Sequence, residues 1–176
     1  MPSKKVAVKR NPNLDWAIGL LGGQPVPTKQ DKFKPLKGYE GVMEENGEET
    51  ILKDLYVKNP SAHLIKEFEI RLKEFIKENL RPEHPYKSPT KVEVILGFDI
   101  PEKRFYDVDV DNLSKYVLDC MNGLVFEDDS QVIKLLAMKE IHPWNTNGLM
   151  IGVNIIDNPA KSWFNVKLFY MEDVAE

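Results

Sequence analysis

The pattern of apolar and polar residues predicts one long amphipathic helix near residues 60–80. Apolar side chains recur there at steps of three and four residues, and charged side chains fill the opposite side. Asn59 suits the N-terminal cap and Pro60 the first helical position, and Pro82 follows the end. We expect one face to pack on a core, formed by Leu64, Ile65, Phe68, Leu72, Phe75, Ile76 and Leu80.

Strands and a second helix are predicted further along the chain. Alternating apolar residues predict a strand at Val92–Ile100, and a helix is predicted over Asp111–Met121, ending at Asn122-Gly123. This order favours an α/β (α+β) fold, with a single small mixed sheet packed with two main helices. Three more strands are predicted at Gln131–Ile141, Leu149–Ile156 and Trp163–Tyr170.

The first fifty residues are predicted to be an irregular arm ahead of a folded domain at 51–176. Prolines and glycines interrupt them, and Glu44–Glu49 around Asn46-Gly47 is predicted to be a polar loop. Their charge balance is +6 over residues 1–37 and −5 over residues 38–50. The apolar run Trp16–Leu21 is too short for an export signal or a membrane span.

The composition is that of a soluble globular protein. The chain has 176 residues and a net charge of −4, with 42% hydrophobic and 30% charged residues. Its single cysteine, Cys120, excludes an internal disulfide and a thiolate zinc cage. We therefore expect a reducing, cytoplasmic location and no membrane partner.

Aspartates cluster on both sides of the second predicted helix. Asp107, Asp109 and Asp111 alternate ahead of it, and in an extended chain they would point the same way. Asp128 and Asp129 follow the helix. Because the helix has the length of a crossover, we expect the second cluster to lie beside the first. Carboxylates this close repel one another unless a cation lies among them, and Mg²⁺ is the simplest choice.

Each element of this pattern also has a purely structural interpretation. Asp111 and Lys115 can be a surface helix pair, Asp109 a helix cap, and Asp128-Asp129 an ordinary turn. Asp119 continues the spacing of Asp111 and Lys115 along one polar stripe of the helix. The joint pattern is harder to explain in this way than any single residue.

The run Asp107–Lys134 resembles the RusA-like family of Holliday junction resolvases. It contains D-x-D-N-L-x-K, a later Asp in the helix, and D-D-x-Q-V. The resemblance implies a homodimeric, Mg²⁺-dependent endodeoxyribonuclease, with Mn²⁺ as a possible substitute, encoded by bacteria, phages or prophages. Such an enzyme resolves four-way DNA junctions in recombination and repair. The motif residues are Asp109, Asp111, Asn112, Leu113, Lys115, Asp119, Asp128, Asp129, Gln131 and Val132.

The resemblance also implies roles for individual residues. Asp109, Asp111 and Asp129 would be catalytic carboxylates and metal ligands, and Lys115 the catalytic lysine. Asp128 would be a further ligand or a group that orients one.

Contacts to DNA are expected next to the aspartates. Lys103 and Arg104 are available for phosphate contacts, and Asn112 for a carboxylate or the sugar-phosphate backbone. Phe105 and Tyr106 suit either stacking on unpaired bases or packing in a core or interface.

Two other functional classes remain open from the sequence. One is a non-catalytic DNA-binding or assembly protein on the same fold, against which the complete set of motif residues argues. The other is a different two-metal nucleotidyl-transfer enzyme, which would need a Gly- or Lys-rich triphosphate loop that the sequence lacks.

Overall fold

The computed structural model describes residues 13–28, 33–36, 39, 41–52, 55–59 and 62–156. These residues contain three α-helices and eight strands. The helices are α1 (Ala62–Glu78), α2 (Glu102–Phe105) and α3 (Val110–Met121). The strands are β1 (Trp16–Leu21), β2 (Phe33–Pro35), β3 (Gly41–Glu45), β4 (Glu48–Leu52), β5 (Tyr56–Lys58), β6 (Val92–Ile100), β7 (Val132–Ile141) and β8 (Gly148–Ile155). No helix among these residues is both long and apolar enough to cross a membrane.

A four-stranded mixed sheet, in the order β1-β8-β6-β7, forms the centre of the fold. Strand β7 runs parallel to β6, whereas β8 is antiparallel to both β6 and β1. A parallel neighbour requires a crossover connection, and α2 and α3 provide it between β6 and β7. The predicted α/β (α+β) class with a small mixed sheet is confirmed.

The hydrophobic core lies between one face of this sheet and helices α1 and α3. Leu96 and Phe98 of β6 meet Leu72 and Ile76 of α1 in one buried cluster. The long amphipathic helix is confirmed, although Leu64, which we placed on its buried face, is 42% exposed. The predicted first residue, Pro60, lies outside the described residues.

Strand β1 contradicts, for residues 16–21, the prediction that the first fifty residues are irregular. Trp16 pairs with Val153 of β8 and is only 1% exposed, and its indole N–H donates to the Asn79 carbonyl at 2.8 Å. Trp16, Ile18 and Leu20 do alternate as a strand requires, but six residues ending at two glycines gave too little periodicity to recognise.

The predicted polar loop around Asn46-Gly47 is instead the tip of a hairpin formed by β3 and β4. Asn46 and Gly47 have φ values of 55° and 84°, and a two-residue hairpin turn of this kind needs positive φ at both positions. The Asn-Gly pair was the available signal. The register sets Glu44 opposite Glu49 and Glu45 opposite Glu48.

The remaining predicted elements agree with the structure to within about one residue. Strand β6 has the predicted bounds, and α3 ends at Met121 with Gly123 at a positive φ of 74°. Strand β7 begins one residue later than predicted, and β8 both begins and ends one residue earlier. The strand predicted at Trp163–Tyr170 lies outside the described residues.

Candidate active site

Helix α3 carries core residues on one side and the predicted site residues on the other. Leu113, Val117 and Cys120 are buried against the sheet and α1, and burial raises the pKa of the Cys120 thiol to about 12. On the solvent side, Asp111, Lys115 and Asp119 are exposed. The i, i+4, i+8 stripe predicted from the sequence is therefore confirmed.

An open groove between α3 and the edge strand β7 collects three of these side chains with Asp129. Its apolar floor includes Leu135 and Ala137 of β7. Three of the four predicted catalytic residues, Asp111, Lys115 and Asp129, therefore line one groove, and Asp109 is not among its lining residues. The catalytic roles of all four remain predictions. The complete lining is Val110, Asp111, Ser114, Lys115, Leu118, Asp119, Asp129, Leu135 and Ala137.

The two aspartate clusters nevertheless lie towards opposite ends of this groove. α3 begins after β6 has ended at Ile100, whereas Asp129 precedes β7, whose first residue pairs with Val92 at the start of β6. Within α3 alone, Asp111 and Asp119 are about 12 Å apart along the helix axis. Asp129 comes after the end of this helix. Our expectation that the second cluster lies beside the first is wrong within one chain, because a crossover helix runs antiparallel to the strands that it connects.

Asp109 occupies the N-cap position of α3 without acting as a side-chain cap. Its backbone is extended (φ −93°, ψ 140°), and its carboxylate makes no hydrogen bond to the helix backbone. It accepts a long hydrogen bond of 3.5 Å from the side-chain amide of Asn112. The Asp109 carboxylate therefore remains accessible. Its contact with Asn112 is one of the two interactions predicted for Asn112, namely a hydrogen bond to a carboxylate.

Asp107, Asp109 and Asp111 do not follow one another on an extended strand, which corrects the basis on which their side chains were predicted to point the same way. The chain is not extended here, because α2 is followed by a turn in which the Asp107 N–H donates to the Arg104 carbonyl at 3.0 Å. Asp107 is exposed on this turn, and it is absent from the lining of the groove.

Asp128 and Asp129 have different surroundings although they are adjacent. Asp128 caps a single 3-10 turn, Asp129–Gln131, by accepting the Ser130 N–H at 2.9 Å. Hydrogen bonds from Ser130 lower the pKa of the Asp128 carboxyl. The turn interpretation thus holds for Asp128, whereas the Asp129 side chain faces the groove.

No ion pair joins Asp111 to Lys115 in the part of the chain that the structure describes. The interpretation of these two residues as a surface helix pair therefore has no support there. Asp119 instead contributes to raising the pKa of Lys73 on α1, after the larger effect of the Lys73 hydrogen bond to Glu69.

The two basic residues predicted to contact DNA differ in their surroundings, since Lys103 is exposed and Arg104 makes a hydrogen bond within the protein. Lys103 is exposed on α2, but the guanidinium of Arg104 donates to the Val26 carbonyl at 2.7 Å. Tyr106 is 87% exposed, which rules out core packing for it. Phe105 is partly buried and lies under the Lys139 ammonium, 4.6 Å from the ring centre.

Lys139 is a supporting residue that the sequence analysis missed. Its ammonium donates to the carbonyls of Phe105 and Val108 at 2.8 and 2.6 Å, which ties the turn ahead of α3 to β7. One signal was present, since Lys139 falls two residues after Ala137 on the core-facing side of its strand. A lysine in that position requires internal acceptors.

The donor chemistry at both ends of the groove fits a hard cation such as Mg²⁺. Asp111 supplies carboxylate oxygens at one end, where Asp109 lies two residues earlier in the chain and outside the lining, and Asp119 and Asp129 supply them at the other end. In the described ranges, no group of three or more His, Cys, Asp or Glu side chains is close enough to hold a metal ion. Mg²⁺ in proteins is usually held by one or two carboxylates together with substrate phosphates, so a preformed cage is not required.

A comparison with known families places this chain in one of them. The family described as Endodeoxyribonuclease RusA matches residues 22–154, which is most of the chain. The chain therefore belongs to the RusA endodeoxyribonuclease family, a class of DNA-cleaving hydrolases. No curated protein matches it.

Proposed function

We propose that this protein is a Mg²⁺-dependent endodeoxyribonuclease that resolves four-way DNA junctions by paired phosphodiester hydrolysis, in recombination and repair in a bacterial cytoplasm. The observation that carries the proposal is the groove shared by Asp111, Lys115 and Asp129. Family membership supports cleavage of DNA. It also supports the junction as the substrate, whereas the cation is inferred from the carboxylate donors.

Asp109, Asp111 and Asp129 are the residues that would hold Mg²⁺ or Mn²⁺. When bound, the cation supplies Lewis acidity and lowers the pKa of a coordinated water. The role of Asp128 in this proposal is to orient its neighbour, because its own carboxylate already caps the turn.

Lys115 supplies positive charge to the scissile phosphate. Its side chain is exposed in the groove one helical turn beyond Asp111, where an ammonium can meet a non-bridging phosphate oxygen. In the reaction, a water oxygen forms a bond to phosphorus, the bond from phosphorus to the 3′ oxygen breaks, and the leaving oxygen is protonated.

A homodimer is part of this proposal for two reasons. A four-way junction is close to two-fold symmetric, so a two-fold dimer can present one site to each of two strands. In addition, one chain separates Asp111 from Asp129 along the groove. A two-fold axis across the groove would set the Asp111 end of one subunit against the partner's Asp129.

DNA contacts would come from exposed groups around the start of α3. Lys103 is available to phosphates, and the Asn112 side chain lies next to the predicted metal ligands. Arg104 contributes less, because its guanidinium already donates to the Val26 carbonyl. The exposed ring of Tyr106 can stack on an unpaired base near the crossover.

The decisive experiment is cleavage of a synthetic four-way junction and of a linear duplex, with and without Mg²⁺. Asp111→Asn is the test variant and Asp107→Asn its matched control, since both remove one exposed carboxylate but only Asp111 lines the groove. We expect paired nicks in the junction from the wild type and the control, and none from Asp111→Asn.

Each other outcome has a definite meaning. Binding of the junction without cleavage under any divalent cation would favour the non-catalytic DNA-binding function. Equal loss of cleavage in both variants would show that the groove is not the site. Cleavage of the linear duplex at the same rate would contradict junction specificity.

A further inference from the structure

We infer that Gln131 is a positioning residue for Asp129, and that it does so by anchoring the turn that carries Asp129 to the segment between α1 and β6. The inference rests on the proposed function, in which Asp129 is a metal ligand. It adds a residue whose side chain touches neither metal nor substrate.

The Gln131 side chain uses its complete hydrogen-bonding capacity inside the protein. It is only 7% exposed. Its carbonyl oxygen accepts the backbone N–H groups of Glu127 and Asp128 at 3.0 and 3.1 Å. Its amide nitrogen donates to the carbonyls of Tyr86 and Thr90 at 3.1 and 2.9 Å.

The two bonds from the amide nitrogen join the turn to residues 45 and 41 positions earlier in the sequence, whereas the two bonds to the carbonyl oxygen lie within the turn. On one side lies the turn at residues 127–131, and on the other the segment at residues 86–90. A buried amide with all four bonds made fixes both position and orientation, because any displacement of either segment leaves buried polar groups unpaired.

Backbone contacts hold the same two segments together and make Gln131 part of a continuous connection. The Tyr86 N–H donates to the Val125 carbonyl at 2.9 Å, and the Glu127 N–H also contacts the Tyr86 carbonyl at 3.1 Å. The Glu127 carboxylate accepts the Ser88 N–H and pairs with Lys87, both at 3.1 Å. These contacts lie at the edges of the connection, whereas Gln131 is buried within it.

Asp129 itself lacks such an anchor. It is exposed, and no hydrogen bond or ion pair of its side chain occurs among the described residues. Its position therefore depends on the backbone of the one-turn helix that starts with it and ends with Gln131. Removal of a group that orients a metal ligand without touching the metal typically lowers metal affinity or activity by about 10–100-fold.

The test compares Gln131→Met, which keeps the length of the side chain but loses all four hydrogen bonds, with Tyr116→Phe. Tyr116→Phe is the matched control because it removes one buried hydrogen bond, to the Ile65 carbonyl at 2.8 Å, on the core side of α3. Three quantities are measured on the full chain: amide hydrogen exchange at residues 127–129, Mn²⁺-induced broadening of the Asp129 amide signal, and the kcat and KM for junction cleavage.

For Gln131→Met we expect at least about tenfold faster exchange of the Asp128 amide, whereas the Glu127 amide keeps its bond to the Tyr86 carbonyl. We also expect weaker Mn²⁺ broadening at Asp129 and a loss of about 10–100-fold in kcat with little change in KM. Tyr116→Phe should leave all of these unchanged. Unchanged exchange and Mn²⁺ broadening in Gln131→Met would overturn the inference, as would equal effects in both variants.

The Mn²⁺ broadening measurement keeps the test of this inference separate from the test of the proposed function. If the wild type binds Mn²⁺ at Asp129 but does not cut a junction, the proposed function fails while the comparison of Mn²⁺ broadening still decides the role of Gln131. If the wild type shows no Mn²⁺ effect at Asp129, the positioning role is refuted.

Discussion

Replacing Trp16 by Phe should destabilise the fold strongly, because β1 is an integral part of the core. The ring is 1% exposed, and its indole N–H donates to the Asn79 carbonyl at 2.8 Å. Loss of that part-buried hydrogen bond costs about 1 kcal/mol. The smaller ring buries less apolar surface and leaves a cavity, which adds about 1–3 kcal/mol.

The expected total of about 2–4 kcal/mol is a large part of the 5–15 kcal/mol that typically stabilises a domain. It can be measured by urea unfolding followed by far-ultraviolet circular dichroism, with an unchanged dependence on urea. Trp144→Phe is the control, because Trp144 is 67% exposed and should change stability by less than about 0.5 kcal/mol. An equally small effect of Trp16→Phe would refute the packing of β1 on the core.

Three further predictions concern two buried side chains, Cys120 and Tyr116, and the partly buried His84. Cys120 should react with a thiol reagent at pH 8 only after unfolding, because burial raises its pKa to about 12. Tyr116→Phe should lower the free energy of unfolding by about 1 kcal/mol in urea titrations, through loss of the bond to the Ile65 carbonyl. Stability should fall as the pH drops below about 6.5, because burial lowers the pKa of His84 and the unfolded chain therefore takes up that proton first.

The outcomes that contradict these predictions are equally specific. Rapid modification of Cys120 in the folded protein would mean that α3 does not bury this thiol. A Tyr116→Phe variant as stable as the wild type would show that the hydrogen bond from the Tyr116 hydroxyl to the Ile65 carbonyl is no more favourable than the bonds to water that the hydroxyl makes in the unfolded chain. His84→Gln should flatten the pH dependence below about 6.5, and an unchanged slope would assign it to other groups.

The sequence was sufficient for elements that have a long, regular pattern. Helix α1 contains six of the seven apolar positions predicted at helical spacing, β6 has five alternating ones, and both were found with nearly correct bounds. Strand β1 has only three alternating apolar residues before Gly22, and its identity depends on pairing with β8, more than 120 residues away. Such pairing cannot be recognised from local periodicity.

The candidate site was predictable in composition but not in layout. The motif residues identified Asp111, Lys115 and Asp129, and all three line the groove. Their separation along it follows from the direction of α3 relative to β6 and β7, which is a property of the topology. The supporting roles of Lys139 and Gln131 likewise depend on carbonyl groups that only the folded chain brings near.

Strand β1 also matters for how fragments of this protein would behave. The family match begins at residue 22, immediately after β1 ends at Leu21. A fragment cut at that boundary would lose the strand that pairs with β8, and β8 would become an edge with free backbone donors and acceptors. The sequence of β8, Gly148–Ile155, is uncharged and apolar except for Asn154, which is the composition that favours edge-to-edge association. Insolubility of such a fragment would therefore reflect an unprotected sheet edge, and extending it to include residue 16 should restore a soluble protein.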